Sequence, residues 1–172
     1  MVEIRDLRKT FFAGTPNEVR ALQGIDLSLP KGSFSAIIGT NGSGKSTLLN
    51  AVAGTFLPDF GSISIDGQEI TRWPEFKRAA LIGRVFQNPF AGTAAGMSIA
   101  ENIALAMRRG LPRGLRPTLS RRVREEMAER VRSLNMGLED RLDNPIGTLS
   151  GGQRQALTLL MATWLQIGRA HV

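Results

Sequence analysis

Apolar positions change their rhythm along this chain. Ile25, Leu27 and Leu29 alternate with polar neighbours, which predicts a half-buried strand stopped by Pro30-Lys31-Gly32. "SFSAII" (33–38) is a short apolar run bounded by glycines and predicts a central parallel strand. In "STLLNAVAG" the spacing turns helical, with Leu48, Leu49 and Val52 on one face and Gly54 as the stop. "SISIDGQEI" predicts a hairpin, because Asp66-Gly67 suits a type I′ turn. "LIGRVF" (81–86) reads as a second core strand. Beyond Pro89 the pattern is helical, and Val123, Met127, Val131 and Leu134 fall on one face. "RRGLPRGLRPTLS" carries two prolines and two glycines and predicts a loop between helices. Strands first and helices later predict an α/β core with a helical insertion.

At 172 residues the chain suffices for one domain with a buried core. No apolar run approaches the roughly 18 residues of a membrane span, and "MVEIRDLRKT" contains no apolar signal-peptide core. The lack of cysteine excludes disulfides and thiolate metal sites and fits a cytosolic protein. The net charge of +7 is concentrated: residues 108–132 hold nine arginines against three glutamates, a net of +6. Such a cluster can attract nucleic acid or anionic headgroups. The apolar stripe through Val123, Met127 and Val131 instead predicts a helix whose arginines face solvent, and no nucleic-acid partner is expected.

"GTNGSGKST" (39–47) matches G-x-x-x-x-G-K-[ST] and lies between a predicted strand and a predicted helix, as the motif requires. Gly39, Thr40, Asn41, Gly42, Ser43, Gly44, Lys45, Ser46 and Thr47 form the loop. Its glycines let backbone N–H groups curl around phosphate oxygens, and the following helix points its positive end at them. Lys45 is expected to reach the β- and γ-phosphates of ATP, and the Ser46 hydroxyl to ligate Mg²⁺.

"LSGGQRQ" (149–155) narrows the field. With the phosphate loop it resembles the ATP-binding-cassette (ABC) superfamily over residues 1 to about 164. "VFQNP" (85–89) resembles that family's Q-loop, and "MSIAENI" (97–103) the start of its helical subdomain. "GTPNEVRAL", "LPDFGSISIDG" and "NPIGTLSGGQRQALTLLMAT" are most similar to ATPase subunits of bacterial importers, of a group handling amino acids or related solutes. The resemblance implies a P-loop NTPase core with an N-terminal antiparallel β subdomain and a helical subdomain at about 91–150, within an ATP-binding domain at 1–165. It implies a head-to-tail pair of ATPase subunits, as a homodimer or with a second ATPase, sandwiching two ATP molecules. Ser150, Gly151 and Gly152 would act on the partner's γ-phosphate. Gln87 would contact Mg²⁺ or the attacking water, and Phe11 would stack on adenine without a hydroxyl. Transmembrane permease subunits and a solute-binding protein would complete the assembly on the cytoplasmic face of the membrane.

The resemblance also implies what this sequence does not contain. In the family a strand ending Asp-Glu follows the signature helix, with a switch histidine further on, and supplies the acid that holds Mg²⁺ and the group that orients water. No such strand follows here. Glu139, Asp140 and Asp143 precede the signature, and His171 lies too near it. The polypeptide as given is therefore expected to be inactive and its core incomplete at the C-terminus. Ile167 to Val172, "IGRAHV", is a translation of ATC GGA AGA GCA CAC GTC, which resembles a sequencing-library adapter beginning inside the Gln166 codon. Residues 166–172 are expected to be non-native. Two other readings compete: a soluble ABC-type ATPase acting on nucleic acid or ribosomes, and a P-loop binding module without catalysis.

Overall fold

The computed structural model describes residues 1–88, 90–111 and 119–168, with side chains given through Trp164. Pro89, residues 112–118 and residues 169–172 lie outside it, so the loop expected at "RRGLPRGLRPTLS" and the end of "IGRAHV" fall largely outside the described residues. The chain forms two compact units, Met1–Ile82 and Gly83–Val172.

The first unit is built on an antiparallel sheet of order β2-β1-β3-β4, with β1 Val2–Phe11, β2 Val19–Leu29, β3 Phe60–Ile65 and β4 Gln68–Glu69. β2 keeps the expected alternation, with Ile25, Leu27 and Leu29 half-buried. β1, which pairs with β2 on one side and β3 on the other, does not alternate. Asp6 has φ 43° and the register against β2 shifts between Ile4 and Leu7, so two residues three apart are both buried. The Asp66-Gly67 turn joins β3 to β4 with φ of 48° and 80°, the positive pair that a type I′ turn needs. Helix α1, Lys45–Ala53, stops at Gly54, whose amide donates to the Asn50 and Ala51 carbonyls. Ile4, Leu7, Leu22, Leu48, Ala51, Ile63 and Ile70 form the core. Leu49, expected beside Leu48, is 58% exposed; the buried arc of α1 runs through Leu48 and Ala51 instead. A four-residue helix, α2 Glu75–Arg78, follows.

Two expected strands do not form. Residues 33–38 and 81–86 join no ladder among the described residues. A central parallel strand needs a neighbour on each side to satisfy its amides and carbonyls; without them the run stays irregular, with Phe34 96% and Ile38 92% exposed.

The second unit is helical. α3 (Ile99–Met107) begins with a capping box in which the Ser98 hydroxyl accepts from the Glu101 amide and the Glu101 carboxylate accepts from the Ser98 amide. α4 (Arg121–Arg132) is capped by Ser120, and α5 runs Gly151–Gly168. Short 3₁₀ turns at Glu139–Arg141 and Ile146–Thr148 lead into α5. Met127 and Val131 are buried with Ile99, Ile103, Leu138, Ile146, Leu157 and Trp164, while Val123 and Leu134 pack half-buried against them. The helical stripe expected on α4 is thus the face that meets this core.

Candidate functional site

The phosphate loop hangs between the irregular run 33–38 and the amino end of α1. Gly44 is the N-cap of α1, with φ 88°. A Cβ here would stand 2.6 Å from the Ala21 carbonyl oxygen, so both backbone sign and available space demand glycine. Glycine also brings no side-chain acceptor. The first-turn amides of α1 therefore have no side-chain cap, and the first turn holds no acidic residue. An anion is what such a helix start is suited to receive. Thr40, Asn41, Gly42, Ser43 and Ser46 are exposed, and Lys45 and Thr47 are half-buried. The Lys45 ammonium folds back over the loop, donating 2.8 Å to the Gly39 carbonyl and 2.6 Å to the Thr40 carbonyl, with Ser43 Oγ at 3.4 Å. These weak carbonyl partners hold the cation in the loop mouth, where phosphate oxygens would compete well for it.

Phe11 ends β1 half-buried and meets Phe56 edge to face, with ring centroids 5.2 Å apart at 83°. In the second unit, Gln87 is exposed, as are Ser150, Gly151 and Gly152 at the start of α5. Ser150 and Gln153 cap one another: the Gln153 amide donates to Ser150 Oγ at 3.3 Å, and the Ser150 amide donates to Gln153 Oε1 at 3.2 Å. With its oxygen accepting from Gln153, the Ser150 hydroxyl keeps its own proton to donate outward. Gly151 and Gly152 leave that helix start open, with nothing within 4 Å of where a Cβ would stand.

Sequence reasoning missed three groups. Arg154, 2% exposed, donates 2.8 Å to the Ile146 carbonyl, and its guanidinium carbon lies 4.4 Å from the Phe90 ring centre, which ties the signature helix to the segment after Gln87. The Asn102 amide group bonds the Ala94 amide and the Ala94, Met97 and Ser98 carbonyls, fixing the approach to α3. Arg78 is fully buried and donates to the carbonyls of Ala51, Val52, Thr71 and Trp73. Burial pushes its pKa down from the ordinary arginine value. Nothing in "PEFKR" announces a buried arginine; it looks like any polar run.

The arginines of 108–132 are largely engaged. Arg121 pairs with Glu125, Arg124 with Asp143 at 2.7 Å and Arg130 with Glu126, while the Arg130 guanidinium stacks 4.5 Å from the centre of Trp164. Arg109 turns inward to the Met161 and Ala162 carbonyls. Arg113 and Arg116 lie outside the described residues.

The donor set fits Mg²⁺ bound together with phosphates and not alone. Among the described residues no group of three or more His, Cys, Asp or Glu side chains could hold a metal, whereas the exposed Ser46 hydroxyl on the first turn of α1 is an oxygen ligand of the kind Mg²⁺ takes beside phosphate.

The family model described as "ABC transporter" matches residues 22–167. The tyrosine transport ATP-binding protein of Clostridioides difficile is 36% identical over 165 residues, which cover 95% of this chain and 64% of that protein. A lipoprotein-releasing system ATP-binding protein of Caulobacter vibrioides is 36% identical over 169 residues, covering 94% of this chain and 67% of the relative. The chain thus spans about two thirds of the length of these relatives. A dimeric ATP-binding cassette in a post-hydrolysis state, bound to ADP and Pi, superposes with a TM-score of 0.77 at 26% identity, covering 96% of this chain and 70% of that one.

Proposed function

We infer from the family to which this chain belongs, the ABC transporters, that it is the ATP-binding and ATP-hydrolysing part of a machine driving a solute across a membrane. The observation that carries this is the phosphate loop itself: a lysine ammonium held against the Gly39 and Thr40 carbonyls, at a helix start without side-chain cap or acidic residue. On binding, the triphosphate would take the Lys45 ammonium from those carbonyls and accept from the α1 amides. Phe11 would stack on the base, and Ser46 would hold Mg²⁺, with Gln87 taking part. Mg²⁺, when bound, supplies charge neutralisation across the β- and γ-phosphates.

Hydrolysis on this reading is shared between two copies, or between this chain and a second ATPase. The Ser150 hydroxyl and the Gly151 and Gly152 amides of one would meet the γ-phosphate held by the other, a contact made only with ATP in place. The dimeric relative with ADP and Pi supports that arrangement. Permease subunits would receive the stroke, and a solute-binding protein would deliver an amino-acid-like solute. The tyrosine transport relative supports that substrate class. The protein would lie peripherally on the cytoplasmic face of the membrane; among the described residues no helix is long and apolar enough to cross it.

Calorimetric titration tests this. ATP should bind the chain, and Lys45→Ala should weaken binding about tenfold or more through loss of a charge-assisted contact. Unchanged affinity in the variant would refute the assignment of the loop.

A further inference from the structure

Phe11 offers a base only a ring, and a phenylalanine ring cannot be oriented through a hydroxyl. Something else must hold it. Lys9 lies two residues earlier on β1. Its ammonium stands 5.6 Å from the centre of the Phe11 ring and 5.6 Å from that of Phe56, the ring that meets Phe11 edge-on. The Lys9 side chain is only 16% exposed, so this contact is better shielded than most surface cation–π pairs.

The ammonium is itself anchored. Asp59 Oδ1 accepts from Lys9 Nζ at 2.7 Å, and Asp59 Oδ2 accepts from the Thr10 amide, also at 2.7 Å. The Asp59 amide returns the contact by donating 2.9 Å to the Arg8 carbonyl. Residues 8–11 and 56–59 are thereby stitched together by one carboxylate, one ammonium and two rings. Removing the charge would take the same cation from both rings.

We propose that Lys9, oriented by Asp59, is a positioning residue for base recognition: it holds Phe11 and Phe56 in the arrangement that stacks adenine. The proposal rests on the reading of Phe11 as the adenine contact. It separates the nucleotide's base, governed by Lys9 and Asp59, from its phosphates, governed by the loop around Lys45.

Two probes resolve the two halves in the 172-residue chain: ATP, and inorganic tripolyphosphate, which has the phosphates and no base. Lys9→Met keeps the stem and loses the charge; it should weaken ATP about two- to fivefold, the range expected for loss of one cation–π contact, and leave tripolyphosphate unchanged. Asp59→Asn should do the same to a smaller degree, and Lys9→Arg should restore ATP affinity. Equal losses on both probes would mean that Lys9 only supports the fold and would overturn the proposal, as would unchanged ATP affinity in both variants. Phe11→Ala separates the levels. If it weakens ATP selectively while Lys9→Met does not, the positioning role fails alone. If Phe11→Ala leaves ATP affinity intact, or the unaltered chain binds no ATP, the adenine reading fails and the proposal with it. Thermal melts of each variant identify any that do not fold, and Asp59→Asn stands in for Lys9→Met if it is one.

Discussion

The Arg78 guanidinium donates 2.7 Å to the Ala51 carbonyl, so a buried cation sits at the carboxyl end of the helix whose amino end carries the phosphate loop. That end is where the helix dipole favours positive charge. The same fork reaches the Val52, Thr71 and Trp73 carbonyls, and among the described residues burial alone, with no carboxylate partner, sets its titration.

Replacing Arg78 should therefore be costly. Arg78→Met would take the donor from four carbonyls, those of Ala51 and Thr71 buried and those of Val52 and Trp73 partly so, at about 1–3 kcal/mol for each buried group left unsatisfied. Arg78→Lys would restore fewer of them, since an ammonium lacks the planar fork. Chemical denaturation should rank stability as wild type above Lys above Met. Equal stability for all three would mean that water replaces the guanidinium at no cost.

Gly44→Ala should fail twice over. The left-handed backbone alone costs about 1 kcal/mol for a side chain, and the added carbon would meet the Ala21 carbonyl at 2.6 Å. Both ATP affinity and melting temperature should fall together in calorimetry. A variant with wild-type melting and wild-type affinity would disprove the close approach.

Ser150→Ala should remove a helix cap, at about 1 kcal/mol, together with the hydroxyl proposed to reach the opposing nucleotide. Gln153→Ala removes half of the reciprocal cap and keeps the hydroxyl. In a pair of ATPase subunits competent for hydrolysis, the first should lose turnover and the second should retain most of it. Equal turnover losses would reduce Ser150 to a cap.

Acid should loosen both units. The Lys9 ammonium, and then the Thr10 amide, hold the Asp59 carboxyl below its ordinary range. The Ser98 amide and hydroxyl do the same for Glu101. A depressed folded-state pKa gives stability that is present above the unfolded value, about 4 for these groups, and is lost as pH falls through the folded value. Melting temperature should decline on acidification below about pH 4, and Asp59→Asn with Glu101→Gln should flatten the decline. A decline unaltered in the double variant would place the acid sensitivity elsewhere.

Much of this was legible in the sequence where local chemistry and tertiary context agree. The α1 start, the Asp66-Gly67 turn and the α4 stripe need only their own residues and one apolar surface. β1 was hidden because the irregularity at Asp6 puts Ile4 and Leu7 out of phase with any two-residue alternation. "SFSAII" and "LIGRVF" have strand composition, but composition cannot supply ladder partners. The serine caps at 98 and 150 were readable as S-x-x-E and S-x-x-Q. Arg78 was not, since a guanidinium saturated by four carbonyls leaves no periodicity to detect.

The absence of ladder partners over residues 33–38 has a consequence that hydrogen exchange can measure. Gly44 is pinned between α1 and Ala21, while Gly39 is approached through a run whose amides join no ladder among the described residues. The phosphate loop is thus a frontier between fast-exchanging and slow-exchanging backbone. Deuterium should enter residues 34–39 early and the amides of Leu48 to Ala53 late. A nucleotide that draws the loop tight would register first as a displacement of that frontier toward Phe34, visible before any change in the helices.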